Sequence, residues 1–127
     1  MSIIRGESES QGYLGFLNGM TGTAYTTVQT LVTNDASQSK TVTSIIVFNY
    51  HTSAVTFNLY YLPNNAGAVR TPASEDQYKI WEVSIAASDT EVFDIPVQLN
   101  ATNDTLRCYA STTAVVNAVA FGYEATD

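Results

Sequence analysis

Apolar and polar positions alternate with a period of two along most of this chain, and short polar clusters interrupt the alternation. That pattern predicts strands joined by turns. Tyr25 to Thr33 alternates weakly, with Val28 and Leu31 set among Thr and Gln. Val42 to Tyr50 is stronger: Val42, Ile46, Phe48 and Tyr50 share one parity, Ile45 and Val47 the other. Apolar residues on both faces predict a strand central to its sheet. After the short connection His51-Thr52-Ser53, Val55, Phe57, Leu59 and Tyr61 alternate with Thr56, Asn58 and Tyr60. Two strands so closely joined predict an antiparallel hairpin.

Pro63-Asn64-Asn65-Ala66-Gly67 ends that run with turn residues, and an irregular stretch continues to Asp76. Long loops often carry binding, which makes residues 63–76 a candidate for a glycan or ion. Tyr78 to Ile85 predicts a further strand, and Ala86-Ala87-Ser88-Asp89 a turn. Glu91 to Gln98 contains Pro96, which cannot donate to a ladder, so this strand belongs at an edge or carries a bulge. Leu106, Cys108 and Ala110 are expected inward, with Thr105, Arg107 and Tyr109 opposite. Ser111-Thr112-Thr113 predicts a second hairpin into Val115–Glu124. There Val115, Val119, Phe121 and Tyr123 form one face, and Val116, Ala118, Ala120 and Gly122 form another that a neighbouring sheet or chain can approach closely. The expectation is an all-β fold, an antiparallel, jelly-roll-like β-sandwich.

The first 23 residues read differently. They hold five of the seven glycines, and also Tyr13, Leu14, Phe16, Leu17 and Met20. Gly loses the most freedom on ordering, so this stretch is expected to be an extended N-terminal arm, tucked along its own domain or docked on a neighbour. The chain thus divides into an arm, residues 1–23, and a sandwich domain, residues 24–127.

Composition narrows the function. Only 13% of residues are charged, and twelve acids against five bases give a net charge of −7. That balance argues against nucleic acid and anionic membranes as partners. Met1-Ser2-Ile3-Ile4-Arg5 lacks the apolar run of a signal peptide, so no signal peptide is expected. Ser and Thr, 28 residues together, take the place of the missing charge and favour strands over helices.

Catalytic chemistry finds little support. His51 is the one histidine and sits in a predicted turn, with no sign of the orienting carboxylate and nucleophile that a triad needs. Cys108, the one cysteine, excludes an intrachain disulfide and is expected to be buried and inert. One Cys and one His do not make a zinc site. Asp35, Glu75, Asp76 and Asp104 are read as solvated charges in loops, and Glu91 and Asp94, three apart on a strand, do not converge. No catalytic residue, metal or cofactor is expected. The tyrosines remain, and Tyr60 and Tyr109, opposite their strands' apolar rows, are the candidates for an intersubunit or ligand surface.

Three segments share a cadence with known proteins. They are Trp81-Glu82-Val83-Ser84-Ile85-Ala86-Ala87-Ser88-Asp89-Thr90, Phe93-Asp94-Ile95-Pro96-Val97-Gln98-Leu99 and Asp104-Thr105-Leu106-Arg107-Cys108-Tyr109-Ala110-Ser111-Thr112. With Ile46–Asn49 and Val55–Tyr60 upstream, the chain from Val42 to Glu124 resembles small β-sandwich virion structural proteins of tailed bacteriophages. The resemblance implies a head decoration or cement protein in the virion, assembled in the host cytoplasm. Its implied partners are the phage major capsid protein and other copies of itself, as a homotrimer. A tail or fibre adhesion component and a carbohydrate-binding module are the alternatives. The family has no site motif to carry over. In the decoration reading, Tyr13, Leu14, Phe16 and Leu17 of the arm, with Tyr60 and Tyr109, are the expected interface residues.

Overall fold

The structure is a computed structural model and describes residues 2–3, 14–17, 28–35, 38–63, 75–112 and 115–126. Its strands are β1 (Ser2–Ile3), β2 (Gly15–Leu17), β3 (Gln29–Thr33), β4 (Gln38–Asn49) and β5 (Val55–Leu62), followed after a 3₁₀ turn (Asp76–Tyr78) by β6 (Lys79–Ile85), β7 (Thr90–Phe93), β8 (Val97–Leu99), β9 (Thr105–Ala110) and β10 (Val116–Thr126). All the ladders are antiparallel. In sheet I, β10 and β4 run side by side at the centre, with β1 and β2 along the outer side of β10 and β7 and β8 along the outer side of β4. Sheet II has the order β3-β9-β5-β6.

The ladders nest. β2 pairs with β10, β3 with β9, β4 with β7 and β8, and β5 with β6. The chain is therefore one long antiparallel ribbon, folded at the β5–β6 connection and wound into two sheets. This is the jelly-roll form of the sandwich.

Winding carries the chain from one sheet to the other at the β4–β5 and β9–β10 connections, and here the structure corrects two expectations. β4 lies in sheet I and β5 in sheet II, so residues 50–54 form a crossover and not a hairpin turn. β9 and β10 are likewise in different sheets. Asn49, fully buried at the end of β4, holds the first crossover. Its Nδ2 donates to the carbonyls of Ser53, Ile85 and Ala86 at 2.9–3.1 Å, and its Oδ1 accepts the His51 N–H at 2.8 Å. At the other end of β4, buried Asn34 donates to the carbonyls of Gln38 and Ala101. Buried carbonyls need such donors, because an unmet one costs about 1–3 kcal/mol.

Other expectations hold. β4 is central, and Pro96 lies in the break between the two edge strands β7 and β8. Phe57, Leu59, Val42, Ile45, Val47, Leu106, Cys108, Val116, Ala118 and Ala120 fill the space between the sheets. Trp81 packs on Phe57 (5.8 Å between ring centroids) and Phe93 (5.2 Å), bridging the sheets where the edges β6 and β7 meet. Burial pushes the Cys108 thiol up, which keeps it a protonated, hydrophobic filler.

Within residues 1–23, the described backbone lies along β10. Ser2–Ile3 pair with Ala125–Thr126, and Gly15–Leu17 pair with Ala118–Ala120. A side chain at Gly15 would run into the Leu31 carbonyl of β3, so glycine is what lets β2 close the seam between the two sheets.

Candidate functional site

A sandwich has two outer faces, and these differ. On β10 the alternation resolves as its sequence suggests. Val116, Ala118 and Ala120 are fully buried, while Val119, Phe121 and Tyr123 point outward, the last of them exposed. On β4 the parity changes partway. Val42 faces the core, and so do Ile45, Val47 and Asn49. The ladder shifts between Phe121/Gly122 and Ser44/Val42, so Thr43 is an extra residue in a β-bulge. That bulge moves the inward row from even to odd positions. It sends Ile46, Phe48 and Tyr50 outward without Val42, which corrects the single face expected for all four.

The outer face of sheet I can be read from the register. Val92, Ile46 and Val119 stand in one row across β7, β4 and β10, and Thr90, Phe48 and Asn117 in the next. Ser44 stands beside Phe121 and Thr41 beside Tyr123, with Gln98 on the other side of Thr41. None of these outward positions carries a charge. Four of the large apolar side chains are well exposed: Phe48 (36%), Tyr50 (43%), Tyr123 (45%) and Val92 (52%). Phe48 and Tyr50 stack, with ring centroids 6.5 Å apart. Isolated exposed apolar residues are ordinary, but a contiguous uncharged aromatic surface marks an interaction site.

The outer face of sheet II is covered by its own chain. Tyr60, Leu62 and Val28 are fully buried there, with Tyr78 and Tyr109 packed against them. Beside them Arg107, 1% exposed, lies 3.7 Å from the carboxylate of fully buried Glu75. Residues 75–78 at the end of the β5–β6 connection fold back over the sheet and carry that carboxylate in. Lys79 reaches Asp76 at 3.0 Å and Glu82 at 2.8 Å on the rim. Burial raises the Tyr60 hydroxyl's pKa, against the hydrogen bond it accepts from Asn58 Nδ2 at 3.1 Å.

Several expected residues therefore move. Tyr60 is a core residue of the covered face, not an interface residue, and Tyr109 is half-buried against the same cluster. Glu75 is not solvated. Nor is Asp104, which is 3% exposed and accepts the N–H groups of Asn100 and Ala101 at 3.1 and 2.9 Å, closing its own turn. Asp35 and Asp76 are exposed, as expected. Leu14 is half-buried against the core and donates its N–H to the Ala120 carbonyl. Phe16 and Leu17 stand opposite Val119 and Ala118 in the β2–β10 register. Tyr13 and residues 64–74 of the candidate loop lie outside the described residues. His51 is half-buried in the crossover.

A second feature sits on the flank. Beside Phe93 of the Trp81–Phe93 contact, an apolar cleft of about 450 Å³ is lined by Tyr61, Ile80, Phe93, Ile95, Pro96, Val97 and Gln98. Tyr61 is held there by a long hydrogen bond, 3.4 Å, from its hydroxyl to buried Asp104.

No protein-family model and no curated protein matches the chain. Among solved structures, it is similar to the Clostridium thermocellum endo-1,4-beta-D-xylanase 10B CBM22-1–GH10 modules complexed with xylohexaose, at 12% identity and a TM-score of 0.45 over 91% of this chain. The chain spans only 27% of that xylanase chain. It is also similar to capsid chains of an expanded equine rhinitis A virus particle (10% identity, TM-score 0.42, 93% of this chain and 76% of that one) and of rhinovirus-B5 (11%, 0.41, 100% and 79%). At these scores none of the three bears on what this chain does.

Proposed function

We propose that this chain is a non-enzymatic structural protein of a virion, a capsid decoration or cement protein of a tailed phage, acting as a homo-oligomer on the head shell. The observation that carries the reading is the uncharged outer face of sheet I, where Phe48, Tyr50, Val92 and Tyr123 stand exposed on a chain of net charge −7. Depletion of charge and enrichment in aromatics is the composition of an interface centre. The resemblance of Val42–Glu124 to small phage virion proteins supplies the setting. A protein that binds only the assembled shell stabilises it by mass action, and repeated contacts on one particle gain from multivalency. The remaining acids would face outward and keep particles apart.

The test is to prepare heads lacking the protein and add it back. Recovered resistance to heat or low salt, with density over capsomer junctions, supports the reading. Density confined to the tail or fibres overturns the cement role in favour of an adhesion component. Glycan binding by a chain that leaves heads untouched favours a carbohydrate module.

A further inference from the structure

We infer that the occupant of the outer face of sheet I is a second copy of this chain, packed face to face across a two-fold axis. The inference rests on reading that face as an assembly surface, and it names the partner.

The relief of the face is the first reason. Bulky side chains sit at one end of β4, Phe48 with Tyr50 just beyond it, and on β10 at the other, Phe121 and Tyr123. Beside three of them stands a small or polar neighbour on the adjacent strand: Asn117 next to Phe48, Ser44 next to Phe121, Thr41 next to Tyr123. The large and small positions form a chequer about the central pair Ile46 and Val119. Turn a copy over about an axis parallel to the strands, and its β4 lies on the β10 of the first. Phe48 then lies over the partner's Asn117, and Phe121 over the partner's Ser44. One surface is thus its own complement, which is the condition a two-fold interface must meet.

Charge is the second reason. Two copies each of net charge −7 repel least where the surfaces that meet carry no charge, and this face is uncharged while Asp76, Glu82 and Asp89 lie off it. Area is the third. β4 and β10 along their lengths, with the shorter β7 and β8 on one flank and β1 and β2 on the other, present about 600 Å² a side, or about 1,200 Å² for the pair. That is the lower end of the range for stable association. The pair departs from the homotrimer expected from the resemblance.

Sedimentation equilibrium of the full chain without heads tests this. A particle of two chains is expected. Phe48→Glu should weaken association more than about tenfold without unfolding the monomer, since interface aromatics are typical hot spots. Asn117→Phe alone sets bulk against bulk and should also weaken it, whereas Phe48→Asn combined with Asn117→Phe keeps the chequer and should restore the pair. Three outcomes overturn the inference. A trimer indifferent to Phe48→Glu does so. A wild-type monomer whose Phe48→Glu variant loses add-back to heads does so while leaving the assembly reading standing. A monomer whose variant still binds heads removes both.

Discussion

The outer faces of sheets I and II are made of similar alternating strands, yet among the described residues one is bare and the other is roofed. On sheet II, Tyr60, Leu62 and Val28 are fully buried, and Tyr78 from the end of the β5–β6 connection packs against them together with Tyr109. The same connection brings Glu75 to Arg107. On sheet I, Phe48, Tyr50, Val92 and Tyr123 remain exposed. Residues 75–78, at the end of the β5–β6 connection, bring Tyr78 and Glu75 to the outer face of sheet II. Apolar residues on the roofed face therefore serve folding, and those on the bare face are left for a partner. Equal substitutions on the two faces should separate stability from assembly.

The sharpest contrast is expected at the buried ion pair. Arg107→Ala removes a buried cation facing the Glu75 carboxylate and should cost about 3–5 kcal/mol of unfolding free energy, because a charge left in a dry site is expensive. Urea denaturation reads it. Phe48→Glu on the bare face should change the same measurement on the dissociated monomer by less than about 1 kcal/mol, as surface substitutions generally do. Equal losses at the two positions would erase the distinction.

Tyr60→Ala and Tyr123→Ala set the same chemistry on opposite faces. The first opens a cavity under the roof and should cost about 3 kcal/mol. The second should cost less than about 0.5 kcal/mol in a monomer but weaken association.

A smaller effect lies at alkaline pH. Burial raises the Tyr60 pKa above its ordinary 10.0, so the folded chain holds this proton more tightly than the unfolded one. The stabilisation is whole below pH 10 and falls as the pH rises through 10 towards the folded value. Tyr60→Phe cannot ionise, so its stability should decline less steeply above pH 10 in urea titrations. At neutral pH the same variant should lose about 1 kcal/mol with the Asn58 hydrogen bond.

Much of the fold was legible because period-two alternation is local. The inward row of β10 and the edge break at Pro96 follow from residue types alone. The sheet assignment of β4 and β5 did not, because Asn49 makes the crossover by donating to Ile85 and Ala86, distant in sequence. The face of Phe48 was obscured by the bulge at Thr43, which inverts the parity of β4 and leaves no mark in hydropathy. Tyr60 was misplaced for a related reason. Its position opposite the apolar row is real, but Tyr78 packs against its cluster from residues 75–78, whose acids read as solvent-facing. The bare face carried one usable signal, the lack of charge at every outward position of β4 and β10 from Thr41 to Tyr50 and Asn117 to Tyr123.

Tyrosine modification tests the two-face account most directly, because each face carries its own reporters. With the chain dilute and dissociated, Tyr50 and Tyr123 should react with a nitrating reagent while Tyr60 stays protected. In the assembled protein, paired or bound to heads, Tyr50 and Tyr123 should become protected too, with Tyr60 unchanged. Equal reaction of Tyr50 and Tyr123 in the free and assembled protein, or reaction of Tyr60 in the folded monomer, would contradict it.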